Sequence, residues 1–245
     1  MKWISSAMDF LLPRTCIVCG ERLLRDERHI CLECRAGLPM TYFWKQSHNP
    51  MSDRLNEIIQ KDLDKEDLPR MEVYAFAAAL FHYNSEAGFR LIPYNIKYKG
   101  DIRAGEYFGR MLGNRLREEE HWKDADLIIP VPLHWSRQFR RGYNQAEAIA
   151  TGVAAAIGIP LRTDILSRRK RTKTQTKLTM EEKAWNVAEA FEAKGEVPPH
   201  IRHIIIVDDV FTTGSTLFAC FAALRSVFPP GVRISVATLG FVGEA

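Results

Sequence analysis

Residues 204–216 read IIIVDDVFTTGST, an apolar run ending in two adjacent carboxylates, Asp208 and Asp209, followed by Thr212, Thr213, Gly214, Ser215 and Thr216. Hydroxyl side chains and a glycine at the start of a helix suit an anion. A helix N-terminus carries roughly half a positive charge and several unpaired N–H groups, and glycine lets the backbone approach closely. Two carboxylates touching that same anion would repel it. They must face another part of the ligand, either neighbouring sugar hydroxyls or a metal. The plainer reading is a strand followed by a helix that uses Thr or Ser as its N-cap. That accounts for one or two hydroxyls but not for the acidic pair. No lysine stands where a triphosphate-binding loop needs one, and no GxGxxG is present, which excludes the two commonest nucleotide fingerprints.

A second constellation is CIVCGERLLRDERHICLEC, in which Cys16–Cys19 and Cys31–Cys34 form two CxxC pairs. Two such turns offer four thiolates to a tetrahedral zinc at about 2.3 Å each. Four protein ligands leave no open position, so the metal is structural. The gap between the pairs is shorter than the about 15–20 residues usual for this pattern, as in a compact ribbon. Cys220 stands alone in an apolar helical pattern and reads as core. Basic residues supply the remaining chemistry. Arg137, Arg140 and Arg141 in PVPLHWSRQFRRGYNQ follow an apolar run, and guanidinium forks suit phosphate or pyrophosphate oxygens; the alternative is a solvated basic loop. Lys97 and Lys99 in IKYKG either reach the same anion or are exposed lysines of a strand. RRKRTKTQTK, residues 168–177, holds six Lys or Arg and no acid. Arg168, Arg169, Lys170, Arg171 and Lys173 there suit a mobile lid that excludes water from an anionic substrate, or a nucleic-acid backbone contact. No aromatic residue lies within the run to stack on bases.

These residues need a scaffold, and the hydrophobic pattern supplies one. EVYAFAAALFHY, DLIIPVPL, HIIIVDD and RISVATLGFV read as strands, and TDILSR as a further candidate. GFRLIPYNIKYKG reads as a short helix turning into a strand. IRAGEYFGRMLGNRLREEE, NQAEAIATGVAAAIG and STLFACFAALRSVF show helical spacing. Strands alternating with helices of about ten to fifteen residues predict an α/β fold, a mostly parallel sheet covered on both faces. Such sheets bind ligands in loops at the carboxyl ends of their strands. The division expected is an N-terminal helix and four-cysteine ribbon over 1–45, a connector with a helix over 46–70, and the sheet domain over 71–245. The 245 residues are 46% hydrophobic and 26% charged, with a net charge of +4. The charge is too small by itself to imply nucleic-acid binding. No apolar run approaches the roughly 20 residues of a membrane span, and the opening MKWISSAMDFLLPR lacks the long apolar stretch of a signal peptide, so a cytoplasmic protein is expected.

The acidic motif resembles the ribose-5-phosphate-binding motif of type I phosphoribosyltransferases. YNIKYKGD, PVPLHWSRQFRRGYNQAEAIA, RRKRTKTQTKLTMEEKAWNVAEAF and the acidic motif, in this order behind a four-cysteine ribbon, resemble the ComF family, linked to competence for DNA uptake. The resemblance covers nearly the whole chain and implies the type I phosphoribosyltransferase fold. It implies that Asp208 and Asp209 bind the ribose hydroxyls of phosphoribosyl pyrophosphate and that 212–216 hold its 5-phosphate. Arg137, Arg140, Arg141, Lys97 and Lys99 would hold the pyrophosphate, which carries Mg²⁺. The lid residues would close over the substrate. Phosphoribosyl transfer to an unnamed acceptor is then the expected activity, with proteins of DNA uptake or single-stranded DNA handling as partners. The alternative is a non-catalytic binding or scaffold protein that keeps the site.

Overall fold

The computed structural model describes residues 13–65, 72–84, 88–169, 190–194 and 200–243. The helix expected at the N-terminus and Lys170, Arg171 and Lys173 lie outside them. In chain order the elements are α1 (Leu32–Ala36), α2 (Pro50–Lys65), β1 (Ala77–His82), α3 (Leu91–Tyr98), α4 (Ile102–Arg117), β2 (Leu127–Pro130), α5 (Trp135–Arg141), α6 (Gln145–Ile157), β3 (Leu166–Arg168), β4 (Phe191–Ala193), β5 (His203–Phe211), α7 (Ser215–Arg225) and β6 (Arg233–Phe241).

The main sheet runs β1-β6-β5-β2, and each of its neighbouring pairs is parallel. β5 is a central strand, which is why its sequence is a continuous apolar run with no polar alternation. Its side chains divide between two cores. Ile204 and Ile206 pack with Met51, Leu55, Leu217 and Phe221 from α2 and α7. Ile205 and Val207 pack with Phe108, Leu112, Ile149 and Val153 from α4 and α6. The fold is thus an α/β architecture with helices on both faces of a parallel sheet. β3 and β4 form a separate antiparallel pair, and β4 carries no signal that the sequence pattern had flagged.

Local chemistry fixes the helix starts. Asn49 accepts from the N–H groups of Met51 and Ser52 at 3.0 Å each, with Pro50 as the first helical residue, where its missing donor is harmless. Asp101 caps α4 through Ala104 N–H at 2.9 Å. Asn144 caps α6 through Ala146 N–H at 3.1 Å and donates to the Val131 carbonyl at 3.0 Å. That second bond ties α6 to the end of β2. α4 and α6 cross at close range because glycines line the contact. A Cβ on Gly109 would stand 2.1 Å from the Ile149 carbonyl oxygen, and one on Gly152 would stand 2.1 Å from that of Glu106.

The structure corrects two local expectations. Lys97, placed in a strand by the sequence pattern, lies in α3, because the apolar residues Ile92 and Ile96 recur at helical spacing and both are buried. The basic loop after β2 is the helix α5, capped by His134 and closed by Gly142 at φ 78°.

Candidate functional site

The carboxyl ends of β1, β5 and β2 open on one edge, because parallel strands all end there. β5 delivers Asp208 and Asp209, β2 leads through a short loop into α5, and β1 leads into α3 with Lys97. Asp208 pairs in register with Thr238 of β6. β5 continues two residues past the acidic pair, to Phe211. Both carboxylates are buried. Asp208 accepts from the Asp209 N–H at 2.8 Å, and Asp209 accepts from the Val210 N–H at 2.9 Å. The second oxygen of Asp209 receives no hydrogen bond among the described residues; the Lys97 ammonium stands 3.3 Å from it as an ion-pair contact. Burial, and then the neighbouring Asp209 charge, push Asp208 up to about 8. For Lys97 burial works the other way, but Asp209 outweighs it and raises the ammonium above its ordinary value. Two acids and one cation leave this corner short of donors and of positive charge.

Beside it, Thr212 and Thr213 are exposed and Gly214 is buried. Gly214 has φ 84°, and a Cβ there would stand 2.9 Å from the Phe211 ring. Only glycine suits that turn. α7 begins at Ser215 with Gly214 as N-cap and no side-chain cap bond. The Thr213 and Ser215 hydroxyls lie 3.0 Å apart, and the Ser215 N–H reaches the former at 3.4 Å. The two hydroxyls thus lie at a helix end that has no side-chain cap bond, with Thr216 in its first turn.

The other predicted residues distribute unevenly. Arg140 is exposed on α5, and the backbone of Arg137 lies on the same helix. Arg141 is partly engaged, 5.4 Å over the Tyr98 ring and 3.0 Å from Gln145 Oε1. Lys99 is exposed at the end of α3. Lys97 is not free to serve pyrophosphate alone, since it faces Asp209. Arg168 lies in β3 over the Phe191 ring, and Arg169 pairs with Glu192 across the β3–β4 ribbon. These two residues of the expected lid are therefore anchored.

The cysteine cluster has the donor set and spacing of a structural zinc site. The sulfurs of Cys16, Cys19, Cys31 and Cys34 all lie within 4.8 Å of one another. Cys19 and Cys31 are 3.8 Å apart, the edge of a tetrahedron with bonds of about 2.3 Å. Cys31 and Cys34 N–H groups donate to the sulfurs of Cys16 and Cys31 at 3.4 Å. Gly20 at φ 79° makes the first turn. Burial raises the Cys16 thiol, but backbone N–H groups outweigh it and bring it to about 7. Burial and the neighbouring thiols raise Cys34. Four crowded thiols ionise together only around a cation of matching charge.

Sequence reasoning passed over one network. His203 Nδ1 lies 2.7 Å from Asp124 Oδ1, and Nε2 lies 2.8 Å from Ser235 Oγ. The residue set is that of a nucleophilic triad, but Ser235 is fully buried and its hydroxyl accepts from the Phe76 N–H at 3.1 Å. It is a structural polar network at the amino end of β5. Nothing in local pattern could have joined residues so far apart.

Fold and site together define an α/β protein with a zinc ribbon ahead of a parallel sheet whose carboxyl edge carries a buried acidic pair. Comparison with known proteins agrees and goes further. Residues 7–43 match the model of the double zinc ribbon domain. The chain is 41% identical over 137 residues to Competence protein F of Haemophilus influenzae, an alignment covering 54% of this chain and 59% of that protein. It is 29% identical over 209 residues to DNA utilization protein YhgH of Escherichia coli, covering 82% and 80%. Against Competence protein ComFC of Streptococcus pneumoniae it is 24% identical over 214 residues, covering 82% and 89%. The chain is homologous over most of its length to these competence and DNA utilization proteins. Among the described residues, no helix is long and apolar enough to cross a membrane.

Proposed function

We propose that the carboxyl edge of the sheet binds phosphoribosyl pyrophosphate and that the protein transfers its phosphoribosyl group. One observation carries this reading: two buried carboxylates sit beside an uncapped helix N-terminus, so one ligand must offer hydroxyl donors and an anion. A sugar phosphate has that split character. Asp208 and Asp209 accept from the ribose hydroxyls, with Lys97 holding Asp209 in place. The hydroxyls and N–H groups of 212–216 hold the 5-phosphate. Arg140, Arg141 and Lys99, with Arg137 on the same helix as the two arginines, serve the pyrophosphate. The oxygen donors of this edge suit Mg²⁺, which would supply charge neutralisation for the leaving pyrophosphate.

In the transfer, the acceptor's lone pair forms a bond to C1 of the ribose. The C1–oxygen bond breaks, and pyrophosphate leaves with the electron pair. The acceptor's proton passes to solvent. Positive charge grows on the ring, where the fixed acidic pair stabilises it; removing one such preorganised contact costs about 3–4 kcal/mol. The relatives' names, competence and DNA utilization proteins, support a role for this protein in competence or DNA utilization. A second reading keeps the same site, with the ligand bound as a signal or scaffold without turnover. We further propose the ribbon, connector and sheet domain over 1–45, 46–70 and 71–245 as the working parts.

Calorimetry with phosphoribosyl pyrophosphate and Mg²⁺ tests the site. Hydrogen bonds to a charged carboxylate are worth about 1.5–3 kcal/mol and those to a neutral one about 0.5–1.5 kcal/mol, so Asp208→Asn with Asp209→Asn should weaken binding by about 100-fold. Equal affinity in the double variant, or no binding by the parent, refutes the assignment. Pyrophosphate release in a screen of nucleobases and amines separates transfer from binding alone.

A further inference from the structure

Between the cysteine ribbon and the outer face of α4 lies a cleft of about 730 Å³. Arg14 and Arg28 line it from the ribbon and Arg103 and Arg110 from α4, against Asp101 and Glu106. A second hollow, of about 530 Å³, follows along the same helix, with Arg35, Arg115 and Arg117 against Glu118. Arg14 serves the ribbon itself, donating to the Glu27 carbonyl at 3.1 Å, and Arg115 pairs with Glu118 at 3.5 Å. Arg28, Arg35, Arg103, Arg110 and Arg117 are exposed and form no ion pair among the described residues. One of the two acids in the cleft is already occupied. Asp101 is 3.4 Å from His29 and caps α4, and the His29 contact leads the causes that hold it below the usual carboxylate range.

Spacing adds the decisive point. Arg103, Arg110 and Arg117 recur every seven residues, so they form one stripe covering about 21 Å of helix. The opposite, glycine-lined face of α4 is locked against α6, which fixes the stripe outward. Cations facing each other across a cleft repel unless an anion lies between them. A row of them at regular intervals fits an anion whose charges also repeat. We propose that the cleft between ribbon and α4 is a track for the phosphodiester backbone of a single nucleic-acid strand. Two basic walls enclose one strand, whereas a duplex, with phosphates around a wide cylinder, would meet one wall only. Guanidinium forks grip phosphates from both sides. The His29 and Tyr107 rings, 5.5 Å apart in the cleft, offer faces for bases. The track shares no residue with the acidic pair or the 212–216 loop.

The test is fluorescence anisotropy of the full zinc-loaded chain with a labelled oligothymidylate, over a series of salt concentrations. Each phosphate contacted on a single strand contributes about −0.7 to the slope of log affinity against log salt. Replacing Arg103, Arg110 and Arg117 together by Ala should flatten the slope by about 2 and weaken binding by roughly 100-fold. The triple lysine variant, which keeps the charge, should retain the parent slope. If the triple alanine protein does not fold, Arg110→Gln alone should flatten the slope by about 0.7. Unchanged affinity and slope in the alanine or glutamine variant, or no strand binding by the parent, overturns the inference. So does a duplex that binds as well with the same arginine dependence, or displacement of the strand by phosphoribosyl pyrophosphate with Mg²⁺, which would put the strand at the other site.

Discussion

Replacing Asp208 by Asn should stabilise the protein, and by more as pH rises. The side chain is buried beside a second carboxylate, and burial first and Asp209 second lift it to about 8. In the unfolded chain an Asp titrates near about 3.9. Between those values the folded protein holds a proton that the unfolded chain has released. Stability therefore falls as pH rises through this window, by at most about 1.4 kcal/mol per unit for one proton. The favourable side of the balance lies below about pH 4, and it is lost as pH climbs through the folded value. Asn keeps the size and shape without the proton, so the variant should lack this slope. From about pH 5.5 to about pH 7.5 the gap between variant and parent should widen by about 2–3 kcal/mol. Urea unfolding of both zinc-loaded proteins, followed by far-UV circular dichroism across that range, reads it directly. The ribbon's own pH response is common to both and cancels. Parallel pH profiles, or a variant that loses ground at the alkaline end, would refute the argument. The gain should come with weaker sugar-phosphate binding, the usual exchange at a site built from destabilised groups.

Three further outcomes follow from other parts of the fold. Purified protein should carry one zinc per ribbon, and chelation should loosen the ribbon while leaving the sheet intact, because structural zinc is itself folding free energy; elemental analysis and hydrogen exchange check this, and protein without zinc would sink it. Gly152→Ala should destabilise by about 3 kcal/mol or more, since its Cβ would lie 2.1 Å from the Glu106 carbonyl oxygen and neither backbone can yield cheaply; a change below about 1 kcal/mol in urea unfolding would contradict the close approach of α4 and α6. Burial above all lowers the His203 titration, so the folded state binds fewer protons than the unfolded one just below about pH 6.5. Stability should fall as pH drops through that point, and a proton-resolved titration showing His203 charged at neutral pH would reverse the sign.

Much of this was legible in the residues themselves. Two CxxC pairs named their own metal, because thiolates at that spacing have few other uses. The apolar run of β5 announced a buried strand with Asp208 and Asp209 at its carboxyl end. Local pattern failed where two periods compete over a short stretch: Lys97 went to a strand, yet Ile92 and Ile96 bury one face of a helix. Partnership across the fold lay beyond reach altogether. That Lys97 faces Asp209, that Asp208 titrates far from its ordinary value, and that His203 joins Asp124 to Ser235 depend on elements meeting in space. The regular arginines of α4 were already in the sequence, but they became a track only when the ribbon folded over them. Residue type and spacing determine what chemistry a chain holds, since those are properties of neighbours in the chain. Burial and distance decide which of it is used, and both arise only when remote segments pack.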